Sequence, residues 1–282
     1  MIQLIRALTL LLALAMAAPA FTADTDGTAA AMSTPPVALI TGSDRGLGFA
    51  LTQELTARGW RVIATCRSPE KATELRAFAA ANPGVVIERL DVADDAAIDA
   101  LAARLRGQPI DALINNAGVI GRVGTPRVED LDPAELQRVM RVNTYAPMRL
   151  ARTFMPNIEA SRHKKIVSLS SGLGSLTRVP DFAQNAPGYD YAVSKAGLNI
   201  SMRMLAYEVR SRGVIVGLVS PGAIDTTMQA QVRAASAAEG KPITAPMVTP
   251  AESARGVVDV MMALTAEKTG RFFSYTGAEI PW

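Results

Sequence analysis

Short, unbroken apolar runs alternate along this chain with longer segments whose apolar residues recur every three or four positions. Val37-Ala38-Leu39-Ile40 is the first such run. Its lack of polar alternation is how a strand buried on both faces of a parallel sheet reads. Further runs predict strands at 61–65, 85–90, 110–114, 166–169, 214–219 and 272–275. Helical spacing predicts helices starting at Phe49 and spanning 69–81, 94–105, 133–158, 191–210 and 252–264. Ser68 is the expected N-cap of the 69–81 helix, with Pro69 at its first position. The long 133–158 helix is expected to bend at Pro147. Residues 223–248, rich in Ala and Gly, predict an irregular, mobile lid.

Between the first strand and first helix lies Thr41-Gly42-Ser43-Asp44-Arg45-Gly46-Leu47-Gly48. A strand, a Gly-rich turn and a helix aim free backbone N–H groups and the positive end of a helix dipole at a phosphate. Gly42 is expected to make the tight turn, Gly46 to let the backbone approach a pyrophosphate, and Gly48 to let helix and strand pack closely. Repeated βα units of this kind imply an α/β fold: a single Rossmann-type, doubly wound parallel sheet with helices on both faces. Its ligand site is expected at the carboxyl ends of the strands.

The first 36 residues break the pattern. Arg6 precedes an apolar stretch from Ala7 to Ala17, followed by Ala18-Pro19-Ala20, a small-x-small site. That is the layout of a secretory signal peptide over residues 1–20. The stretch is shorter than the roughly 20 residues a membrane span needs. Residues 21–36 read as a linker, and 37–282 as the nucleotide-binding domain. Two locations follow: export with cleavage before Phe21, or a cytoplasmic chain starting at Met32, just ahead of the first strand.

Composition narrows the function. The 282 residues are 49% hydrophobic with a net charge of +3, enough chain for one large domain with a sizeable core. The positive charge is dispersed and aromatics are few, so nothing points to nucleic acid. A single cysteine, Cys66, excludes an internal disulfide. The single histidine, His163, sits beside Lys164 and Lys165 and offers no metal cluster; it is expected to face solvent.

The chemistry gathers at strand ends. About 20 residues past the glycine turn an NAD site usually carries an acid for the ribose, but here the second strand ends in Thr65-Cys66-Arg67. With Arg67 there and Arg45 inside the turn, a 2′-phosphate is the better guest, which predicts NADP(H). Asp91-Val92 closes the third strand, where a carboxylate can take the adenine amino group. Asn115-Asn116-Ala117-Gly118 closes the fourth, tying strand ends and leaving room for a cofactor. Tyr191 and Lys195 stand one helical turn apart on one face. An ammonium there is expected to lower the phenol's pKa from its ordinary value of about 10. Upstream, Ser168-Leu169-Ser170-Ser171-Gly172-Leu173-Gly174 offers a hydroxyl to a substrate oxygen, and Asn143 is placed to hold a water beside Lys195.

In this order and combination, these residues resemble the short-chain dehydrogenase/reductase superfamily. The matching elements are Thr41-Gly42-x-x-x-Gly46-x-Gly48, Asp91, Asn115-Asn116-Ala117-Gly118, Asn143, Ser171-x-x-Gly174, Tyr191-x-x-x-Lys195 and Pro221-Gly222-x-x-x-Thr226. The resemblance implies an oxidoreductase acting between a carbonyl and an alcohol. Tyr191 is then the acid/base, Lys195 its partner and a ribose ligand, Ser171 the carbonyl-positioning hydroxyl and Asn143 the end of a proton relay. Ser171 is preferred to Ser170 because it alone has a glycine three residues on. Gly188-Tyr189-Asp190-Tyr191 and the ending Thr269 to Trp282 are similar to the carbonyl-reductase branch that includes sniffer and C-factor-like proteins. The C-factor likeness carries a rival expectation, an exported signalling or interaction protein that keeps the fold without needing turnover. The apolar face of Leu198, Met202, Leu205 and Val209 reads as core or as helix packing in a homodimer or homotetramer. One departure stands out: the segment from Ser171 to Tyr191 is longer than the superfamily's usual spacing and holds Arg178, Asp181, Gln184 and Asn185.

Overall fold

A computed structural model describes residues 34–123, 128–182, 188–244 and 246–282. The leader and most of the linker, like Gln184 and Asn185, lie outside the described residues. The strands are β1 (Val37–Thr41), β2 (Arg61–Cys66), β3 (Val85–Arg89), β4 (Ala112–Asn115), β5 (Lys165–Leu169), β6 (Ile215–Ser220) and β7 (Phe272–Ser274). All seven join one parallel sheet in the order β3-β2-β1-β4-β5-β6-β7. The order runs outward from β1 in both directions, so a crevice opens between the carboxyl ends of β1 and β4.

The helices are α1 (Gly46–Ala57), α2 (Thr73–Ala81), α3 (Asp95–Arg104), α4 (Pro133–Met140), α5 (Ala146–Glu159), the single turn α6 (Val179–Phe182), α7 (Tyr189–Glu208), α8 (Thr227–Ala238) and α9 (Pro250–Ala263). Alternation along β1 sorts them. Ala38 and Ile40 point into a core with Leu51 and Leu55 of α1 and Val257 and Met261 of α9. Val37 and Leu39 point the other way, toward Ile98 of α3, Phe154 of α5 and Leu198 and Met202 of α7. Each large apolar side chain fully buried in these layers contributes about 1.5–3 kcal/mol. β1 has no polar face because both of its faces are covered.

Four local expectations are corrected. The 69–81 segment divides into a short 3₁₀ turn, Pro69–Lys71, and α2, and Ser68 makes no side-chain cap. The long helix is interrupted not at Pro147 but just before it, by a π turn over Arg141–Tyr145. Pro147 has no N–H to offer the carbonyl of Asn143 four residues back, and the widened turn absorbs that gap. The lid is irregular only at its ends, because α8 lies inside it with Thr226 Oγ1 accepting from Gln229 N at 3.4 Å. His163 faces solvent only in part, because it stacks on Trp60 with ring centroids 5.5 Å apart. No described helix is long and apolar enough to cross a membrane.

Candidate active site

The glycine turn is built by exclusion. Gly42 has φ +70°, and a methyl there would lie 3.1 Å from Ala117 Cα, so the turn rests directly on the end of β4. A methyl at Gly48 would lie 2.0 Å from the Gly42 carbonyl oxygen and 2.6 Å from Asn116 Nδ2. Only glycine lets α1 start so close to β1. Asn116 Nδ2 donates to the carbonyls of Thr41 (2.8 Å) and Gly42 (3.0 Å), while Thr41 Oγ1 accepts from the N–H groups of Asn116 and Ala117, both at 3.0 Å. α1 begins without a side-chain cap and without an acid in its first turn. Its first N–H groups therefore lack the partner a capping side chain would give, the condition under which a helix start accepts a phosphate. The residues present fit a dinucleotide.

A cleft of about 1010 Å³ opens over this turn. Gly42, Arg45, Gly46 and Leu47 line one side, and Arg67, Asp91 and Val92 the next. Ala117 and Gly118, then Tyr191 and Lys195, and finally Pro221 and Thr226 complete the wall. Other sequence-expected residues lie behind it. Ser43 is fully buried and its hydroxyl donates to Ile40 O. Asn115 Nδ2 donates to Ser168 Oγ at 3.0 Å. Thr41, Ser43, Gly48 and Asn115 are thus supports beneath the cleft, not residues that line it. Gly222, with φ +83°, packs on the Tyr275 ring.

At the reacting end, Ser171 is hydrogen-bonded to the Tyr191 phenol, while its Oγ also accepts from Leu173 N at 3.2 Å. Ser170 is spent elsewhere: its hydroxyl donates to Asn199 Oδ1. Lys195 Nζ lies 5.6 Å from the Tyr191 ring centre and donates to the Leu169 carbonyl at 2.8 Å. Gly118 is where the parts converge, since a methyl on it would lie 3.4 Å from Asn143 Oδ1 and 3.9 Å from Lys195 Nζ.

The electrostatics correct one expectation. Desolvation pushes the Tyr191 phenol up to about 12, against a smaller lowering from the Ser171 hydrogen bond. Burial brings the Lys195 ammonium down to about 8. The lowering expected from the lysine is not what the pocket gives: loss of solvent dominates and the net shift is upward. Tyr191 is nonetheless only half-buried where it borders the cleft. Asn143 is corrected too. Its Nδ2 donates to Val119 O (2.8 Å) and Ser194 Oγ (3.0 Å), and its Oδ1 accepts from Val119 N (2.9 Å). The side chain clamps the β4 loop to α7 and spends both of its amide hydrogens there, leaving no donor for a water.

Sequence reasoning missed three participants. Asn199 lies one turn beyond Lys195 on the same face of α7, a spacing that could have flagged it, and donates to Gly174 O at 3.0 Å. Ser220 Oγ accepts from Gly172 N at 3.2 Å. Asp44 lines the cleft with Oδ2 3.8 Å from Arg45, and after burial it is the next cause raising the Cys66 thiol.

Phosphate-ready turn, switch-point cleft and a Tyr–Ser pair beside a buried lysine together define a dinucleotide-dependent oxidoreductase. The short chain dehydrogenase family model matches residues 36–237, and the chain belongs to that family, whose members use nicotinamide cofactors. C-signal of Myxococcus xanthus is 32% identical over 185 residues, covering 65% of this chain and 99% of that protein. An NADPH-bound carbonyl reductase from chicken fatty liver is 29% identical with a TM-score of 0.77, covering 88% of this chain and 99% of that one. The carbonyl reductase Sniffer of Drosophila melanogaster shares the fold at 23% identity and a TM-score of 0.74, covering 88% and 99%.

Proposed function

We propose that this protein is an NADP(H)-dependent carbonyl reductase. The observation that carries the reading is the hydrogen-bonded Ser171–Tyr191 hydroxyl pair, with Tyr191 and Lys195 both lining the cleft one helical turn apart. The nicotinamide, when bound, supplies the hydride. Ser171 and Tyr191 hold the carbonyl oxygen and meet the charge that develops on it. Tyr191 then donates its proton. A phenol raised by burial stays protonated at neutral pH, the state a proton donor needs. Lys195 orients the ribose and supplies positive charge below pH 8. Arg67, exposed beside the cleft, and Arg45 support a preference for the 2′-phosphate, with Asp44 offsetting part of the charge of Arg45.

Ile200, Met204 and Tyr207 form an exposed stripe on α7, which supports a second copy of this chain as partner. The layout from Arg6 to Ala20 supports export, with a cytoplasmic chain starting at Met32 as the competing reading. The likeness to C-signal favours one other function, a nucleotide-binding signalling protein without required turnover.

The test is NADPH oxidation over aldehydes, ketones, quinones and 3-oxoacyl esters, repeated with Tyr191→Phe. General acid catalysis is worth about 10²–10⁴-fold, so turnover should fall by that much while NADPH still binds. Absence of turnover on every carbonyl, with NADPH bound, would favour the signalling reading.

A further inference from the structure

The last two residues reach the loop that carries Ser171. After β7 the chain turns at residues 275–278 and runs back beside it, with Ile280 N donating to Phe272 O at 2.8 Å. Pro281 and Trp282 then meet the segment that follows Ser171. Ser175, which is 1% exposed, donates its hydroxyl to Pro281 O at 2.6 Å. Thr177 gives both of its donors to Trp282 O, the N–H at 2.7 Å and the hydroxyl as well. The indole is fixed on both sides: it stacks on Phe272, centroids 5.8 Å apart, and the Arg203 guanidinium of α7 lies 4.6 Å from its ring centre.

This matters because, among the described residues after Ser171, the loop holds only short pieces, the 3₁₀ turn Gly172–Gly174 and the single turn α6. Its near end is tied to β6 by Ser220 and to α7 by Asn199. Its far end is tied by Pro281 and Trp282. Ser171 must meet a carbonyl oxygen at hydrogen-bond distance, and displacements near 1 Å can cost about 100-fold in rate.

We propose that Pro281 and Trp282 form a clamp that positions Ser171, so that the tail sets the turnover number and not merely the stability of the fold. The inference rests on the reading of Ser171 as the carbonyl-holding hydroxyl. Trp282 acts through the loop and is a positioning residue.

The experiment is a double-mutant cycle in the full chain: Trp282→Ala and Ser171→Ala, singly and together. kcat and both KM values are measured with NADPH and the carbonyl reduced fastest in the screen above, well below each variant's melting temperature. Trp282→Ala should lower kcat by about fivefold to twentyfold and leave the KM for NADPH within about twofold. Trp282→Phe, which keeps a ring to stack, should restore most of it. In the Ser171→Ala background the same truncation should have little further effect, because the hydroxyl it positions is gone. If Trp282→Ala does not fold, Thr177→Val removes one of the bonds to Trp282 and should show the same pattern more weakly. Unchanged kcat in a folded Trp282→Ala, or an equal drop with and without Ser171, overturns the clamp. Wild-type turnover in Ser171→Ala overturns the reading of the site itself, and the clamp with it.

Discussion

Gly174→Ala is a severe test of how the site is assembled. Gly174 lies against the backbone of Lys195: a methyl there would sit 2.7 Å from Lys195 C and 2.9 Å from both its Cβ and its carbonyl oxygen. These atoms belong to the body of α7 and cannot rotate aside. Ordinary contact begins near 3.4 Å, so loop and helix must separate by about 0.7 Å. Overpacking of this kind costs about 1–3 kcal/mol, which lowers the melting temperature by roughly 2–12 °C at this chain length. The catalytic cost should be larger. The same loop carries Ser171 and the same helix carries Tyr191 and Lys195, so the separation opens the reacting group itself. Since about 1 Å can cost 100-fold, kcat should fall by about tenfold to a hundredfold. The glycine turn is remote from the change but Lys195 is not, so NADPH affinity should weaken too, by less than kcat falls. Steady-state kinetics at 25 °C, with NADPH titration and a thermal melt, measures all three. A folded Gly174→Ala enzyme with wild-type kcat would refute the claim that this contact sets the geometry.

Other expectations are simpler to check. Arg67→Ala should erase much of a preference for NADPH over NADH, since a charge-assisted bond is worth about 1.5–3 kcal/mol; Asp44→Asn should sharpen it. Fluorescence titration giving equal dissociation constants for both cofactors in the wild type would sink the idea. Lys195, lowered from 10.5 to about 8, penalises the folded state by about 3 kcal/mol while it is protonated. Below pH 8 both states hold the proton and the full penalty applies; between about 8 and 10.5 the unfolded chain binds more protons, so stability rises with pH. Lys195→Met should therefore stabilise the cofactor-free protein at pH 7, by that amount less about 1 kcal/mol for the lost bond to Leu169, and the gain should shrink toward pH 10.5. A lower melting temperature for Lys195→Met at pH 7 would contradict this. For location, N-terminal sequencing of the fractionated native protein should give a chain beginning at Phe21 in the exported fraction; a cytosolic chain beginning at Met32 or Ser33 refutes export.

The sequence by itself determined the sheet. Unbroken runs such as Val37 to Ile40 have no polar face, and only a strand covered on both sides satisfies them. It also determined the turn, because a glycine whose absent side chain lets backbone meet backbone, as at Gly48, is visible as a letter. The Tyr191–Lys195 pairing was legible from helical spacing alone. The tertiary structure decided what depends on distant neighbours. Whether Ser43 and Asn115 touch a ligand or prop up its floor turns on partners such as Ile40 and Ser168, which no local spacing reveals. The direction of the Tyr191 shift turned on how much water the fold removes, a burial effect that outweighs the smaller lowering by the Ser171 hydrogen bond. Asn143 sits in a π turn because Pro147 follows four residues on, yet its side-chain partners Val119 and Ser194 are set by how the β4 loop meets α7. The tie between Trp282 and Thr177 joins positions 105 residues apart, and only the folded sheet brings them together.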